Sequence, residues 1–73
     1  MGDDIMTNLN AIIRATRASA KATADCQRYA RAARWGQDEM ERVEAARFLR
    51  RAQARYARAQ SILAANPLPG DPA

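Results

Sequence analysis

Apolar and small residues recur along this chain at alternating intervals of four and three. Ile5, Leu9, Ile12, Thr16, Ser19, Thr23, Cys26, Ala30 and Ala33 form one unbroken series, and Ala45, Leu49, Ala52, Tyr56, Ala59 and Leu63 form a second. A mean spacing of 3.5 keeps one stripe of a helix turned towards a partner helix, so each series reads as a helix-packing seam. They predict a helix over 4–34 and another over 39–65. The carboxylates of Asp3 and Asp4 suit the start of the first, and neither Gly nor Pro interrupts it before Trp35.

The break between the helices is short. Trp35-Gly36-Gln37-Asp38 supplies Gly36 as an expected left-handed C-cap and Asp38 as an N-cap, with Glu41 three residues on as the reciprocal capping partner. Asn66-Pro67 ends the second helix, because a proline drives the residue before it out of helical geometry. Residues 66–73 then read as a proline-rich extended or disordered tail; its PxxP spacing is weakened by Gly70 and Asp71. The fold class is therefore all-α: a coiled-coil-like antiparallel two-helix hairpin, completing a four-helix bundle or docking in a larger assembly. A turn centred on Gly36 pairs residues whose numbers add to about 72: Leu9 with Leu63, Thr16 with Tyr56, Thr23 with Leu49.

Composition changes the picture in one respect. The chain has 73 residues and is 48 % hydrophobic, but 18 residues are alanine, whereas Ile, Leu, Val and Phe together number 10. A chain of this size is near the limit of independent stability. Met6, Ile13, Met40, Phe48 and Ile62 fall beside the seams, widening the apolar surface beyond what one partner helix covers. Ile13, Trp35, Met40, Phe48 and Ile62 are the candidate partner contacts. Trp35 has two readings: a cap closing the rod against Met40 or Val43, or an anchor for another molecule.

Several chemistries are excluded. Without histidine no serine-type triad or imidazole shuttle can be built, and a lone cysteine makes neither a zinc ribbon nor an intrachain disulfide. No catalytic, metal-binding or cofactor-binding residue is assigned, and no small-molecule substrate is expected. Cys26 reads as a small buried residue or as a symmetric link between two copies. The acidic start Met1-Gly2-Asp3-Asp4 is unlike a secretory leader, and no apolar run reaches membrane-spanning length. The expected location is cytoplasmic or inside a particle assembled within the cell.

Charge supplies the remaining signal. Eleven arginines and one lysine against eight acids give a net charge of +4 and a pI near 10.2. Arg14, Arg17, Lys21, Arg28 and Arg31 follow helical spacing on the first helix, with Asp25 as the only acid among them. Arg47, Arg50, Arg51, Arg55 and Arg58 follow on the second, with no acid between Glu44 and Asp71. Most are expected to face away from the seams as two basic stripes. Arg14, Arg17, Lys21, Arg28, Arg31, Arg47, Arg51, Arg55 and Arg58 are candidate phosphate contacts if the stripes are more than solvated faces. The leading expectation is a non-enzymatic structural subunit that self-associates or packs into a multiprotein assembly, such as a phage particle or another bacterial complex. A backbone-directed, salt-sensitive nucleic-acid-binding dimer is the alternative, and a peripheral membrane-surface binder a weaker third.

Overall fold

The structure, a computed structural model, describes residues 2–67, with side chains from Thr7 onward. Helix α1 spans Gly2–Trp35 and helix α2 spans Glu39–Ala65. They pack against each other as an all-α antiparallel hairpin 55 Å long. Runs of Ala and Arg, both strong helix formers, favour this local structure throughout. The Ile5 and Met6 side chains and the tail over 68–73 lie outside the described residues.

The connection is built by three interactions. Asp38 adopts extended backbone (φ −130°, ψ 168°), and its Oδ1 accepts from the Glu41 amide at 2.7 Å, the expected N-cap. The Glu41 carboxylate reaches back one residue further than the simple capping box requires, accepting from the Gln37 amide at 3.0 Å. Arg42 Nη1 donates to the Gly36 carbonyl at 2.9 Å, tying the end of α1 to the start of α2. Gly36 is not a left-handed cap. Its amide still donates to the Ala32 carbonyl at 2.8 Å, and the need for glycine is spatial: a Cβ there would meet that oxygen at 2.6 Å and Arg42 Cγ at 3.0 Å. At the far end Asn66 stops α2 by donating its side-chain amide to the Ile62 carbonyl at 2.8 Å.

The core is made mostly of alanines. Ile12, Ala15, Ala22, Ala45, Ala52 and Ala59 are buried, and Asp25 with them; Ala22 and Ala52 have no exposed surface. No large side chain is fully buried among the described residues. Alanine at the interface lets the backbones approach closely, but each buried methyl contributes only about 0.8 kcal/mol where a leucine would contribute about 2.

The α2 seam follows the expected line, with Ala45, Ala52 and Ala59 buried, Leu49 and Leu63 half-buried, and Tyr56 still 41 % exposed. The α1 seam does not. It runs Ile12, Ala15, Ser19, Ala22, Cys26, Tyr29, Ala33, while Thr16, Thr23 and Ala30 are exposed. The two heptad phases share Ile12, Ser19, Cys26 and Ala33 and differ by one residue at every other step. The observed phase turns the large Tyr29 ring inward in place of Ala30 and leaves the threonine hydroxyls free to satisfy themselves, Thr23 donating to the Ser19 carbonyl at 2.9 Å.

The axial register also differs from a pairing that adds to 72. Ser19 meets Gln60, Asp25 meets Arg55 and Tyr29 meets Phe48, where that rule gave Gln53, Arg47 and Val43. Two effects act in the same direction. α1 continues through Trp35, which moves the turn centre towards Gln37. In addition, side chains lean towards the N-terminus of their own helix, so in an antiparallel pair long side chains meet partners displaced along the axis.

Candidate functional site

The middle of the hairpin is fastened by charge. The Asp25 carboxylate, 9 % exposed, accepts from Arg55 of α2 at 3.1 Å through Oδ2 and from Arg28, one turn along α1, at 3.2 Å through Oδ1. Next to it Tyr29 stacks on Phe48 across the interface, ring centres 5.3 Å apart and planes at 28°. Arg28 lies over Tyr29 and Arg51 over Phe48, each 5.8 Å from the ring centre. This cation–aromatic–aromatic–cation stack favours the geometry through the ring quadrupoles.

Beyond it towards the open end lies a groove of about 430 Å3 between the helices. Its apolar lining is Ala11, Ala15, Ala18, Ala59 and Ile62. Its rim is Arg14 and Lys21 from α1 and Arg55 and Arg58 from α2. Four of the basic residues therefore do not face away from the seam: Arg14, Lys21, Arg55 and Arg58 flank it and converge on one groove. Phe48, Arg51, Arg55 and Arg58 line an adjoining hollow with Tyr29, so the cationic surface continues along α2. Arg47 sits further towards the turn in a hollow shared with Glu44, Phe48 and Arg51. Arg28 and Arg31 line a separate recess with Trp35, Gly36 and Glu41, and Arg17 is exposed outside all of these.

The turn end has the opposite character. Glu39, Glu41 and Glu44 are exposed there beside large apolar side chains: Trp35 is 75 % exposed, Met40 68 % and Val43 45 %. Trp35 does not cap the rod. Its ring projects from the end of α1 with Arg34 over it at 5.9 Å. Ile13, Phe48 and Ile62 are also exposed, at 47 %, 43 % and 37 %. Cys26 is a half-buried free thiol at the helix interface.

Four contributors were not legible as site residues: Arg42, Gln60, Tyr29 and, as a cross-helix ligand, Asp25. Of these only Asp25 carried a sequence signal, as a lone acid in a run of bases. Among the described residues no group of three or more acids, cysteines or histidines could hold a metal ion, and no helix is long and apolar enough to cross a membrane. No protein-family model matches the chain, and no curated protein or solved structure is significantly similar to it.

Proposed function

We propose that this protein is a non-enzymatic interaction module, a helical hairpin through which the chain joins copies of itself in a structural assembly. One observation carries the reading: the interior holds alanines, whereas Ile13, Trp35, Met40, Val43, Phe48 and Ile62 are all more than a third exposed. A chain with so few large apolar side chains gains most from them by burying them, and only another surface can do so here. Tryptophan and methionine are also the residue types enriched at the centres of protein interfaces. Sedimentation equilibrium of the isolated chain tests the proposal. Association at micromolar concentration is expected, and a well-folded monomer that does not associate overturns it.

A second reading, a backbone-directed nucleic-acid binder, is favoured by the four cations around the alanine-floored groove. It predicts affinity for duplex DNA or RNA that falls steeply as salt rises. The apolar floor, which a phosphate backbone has no use for, places it second.

A further inference from the structure

From the charge pattern along α2 we infer that the occupant of the cationic groove is the acidic start of α2, Glu39 to Glu44, from a second copy, bound antiparallel and reciprocally. This rests on the self-association reading and specifies its geometry. Successive hollows show that Glu44, Phe48, Arg51, Arg55, Arg58 and Ile62 share one flank of α2. Their intervals of four, three, four, three and four are those of a second packing seam, separate from the one that holds the hairpin together.

This seam is charge-graded, with an acid at the turn end and three arginines in the open half. A two-fold dimer brings the same flank of each copy together in opposite directions. Of the heptad registers that satisfy the spacing, two overlap most of α2. In one, Arg51 faces Arg55 of the second copy twice over and Glu44 faces Ile62, so like charges meet. In the other, Glu44 inserts beside Arg55 and Arg58, Glu41 approaches Arg58, and Phe48 faces Arg51. The second register thus sets Glu44 among opposite charges and a guanidinium over a ring, each twice, and leaves one like-charge approach, Arg51 to its own counterpart at the two-fold axis, against the repeated Arg51–Arg55 opposition of the first. It also places the exposed Met40 side chain level with Ala59 of the second copy, over the alanine floor, which suits a flexible thioether.

The two α2 helices overlap from Glu39 to Gln60 in this register, about 33 Å at 1.5 Å per residue. Across the 22 Å width of the hairpin that overlap outlines roughly 700 Å2, close to the about 800 Å2 that a stable interface takes from each partner. The acidic turn and the basic groove thus complete each other twice in one closed dimer, leaving no open end to propagate.

Charge exchange between two variants of the full chain tests the arrangement, with sedimentation equilibrium as the readout and circular dichroism to confirm helicity. Glu44→Arg and Arg58→Glu are each expected to weaken dimerisation at least tenfold, and Glu44→Gln by less. An equimolar mixture of Glu44→Arg and Arg58→Glu chains is expected to dimerise more strongly than either variant alone, because positions 44 and 58 then carry opposite charges at both contacts, with Arg55 beside position 44 keeping the recovery partial. A wild-type dimer that all three substitutions leave unchanged overturns this geometry while self-association stands. A wild-type monomer overturns both. A chain that stays monomeric and loses affinity for a DNA duplex on Arg58→Glu assigns the groove to nucleic acid and overturns the inference.

Discussion

Asp25 on α1 and Arg55 on α2 are joined at 3.1 Å, and this is the ionic contact that crosses between the helices among the described residues. Its carboxylate is buried while its two arginine partners are exposed, at 47 % for Arg55 and 70 % for Arg28. The geometry gives the pair a role beyond attraction. A ladder of alanines packs almost equally well after an axial slip, because each methyl resembles the next. One buried acid that must find one arginine removes that degeneracy, as polar residues in coiled-coil seams do.

Asp25→Ala is therefore expected to destabilise the hairpin by about 1 to 3 kcal/mol, the range for losing hydrogen bonds to a charged group. Arg28→Ala should change stability by less than about 0.5 kcal/mol, because Arg28 is mostly in water and its contact lies within one helix. Urea unfolding at a fixed protein concentration measures both. Equal effects from the two variants would contradict a cross-helix role for Asp25.

Gly36→Ala is predicted to act against the usual sign. Where the backbone tolerates a side chain, replacing glycine by alanine stabilises by about 0.4 to 1 kcal/mol through the unfolded chain. Here the added Cβ would lie 2.6 Å from the Ala32 carbonyl oxygen, a backbone atom held in α1. The variant is expected to unfold at lower temperature than the parent, by the equivalent of about 1 to 3 kcal/mol for an overpacked site. A raised melting temperature would show that the turn relaxes.

How much was legible in the sequence follows from what sets each feature. The helix limits, the Asp38 cap and the Asn66 stop depend on local chemistry, and local residues reveal them. The phase of α1 depends on a choice between Tyr29 and Ala30 that the four-three pattern cannot make, since Ala15, Thr16, Ala22 and Thr23 all fit a small-residue seam. The convergence of Arg14 and Lys21 with Arg55 and Arg58 required the register between the helices. That register rests on Asp25, Tyr29 and Ser19 meeting residues distant in sequence.

The corrected seam has its own test. Ala22→Leu and Ala52→Leu, at positions with no exposed surface, should each destabilise by about 1 to 3 kcal/mol through overpacking. Thr23→Ala, on the exposed side of α1, should lie within about 0.5 kcal/mol of the parent. Thermal or urea unfolding decides it; a large loss from Thr23→Ala with none from Ala22→Leu would restore the other phase.

The N-cap of α2 is separable from the rest of the turn. Asp38→Ala removes the acceptor for the Glu41 amide and should destabilise by about 0.5 to 2 kcal/mol. Asp38→Asn and Asp38→Ser, which keep an acceptor at that position, should recover most of it. Failure of both to do so would mean that charge at the acidic turn, rather than the cap, is what matters.

The central claim is that the large apolar side chains outside an alanine core are buried by another copy of the chain. Thermal unfolding of the 73-residue chain, followed by circular dichroism across a series of concentrations, tests it most directly. If association stabilises the folded hairpin, mass action requires the melting temperature to rise with protein concentration. A melting temperature that stays constant across the micromolar range, with a cooperative transition, would contradict the account.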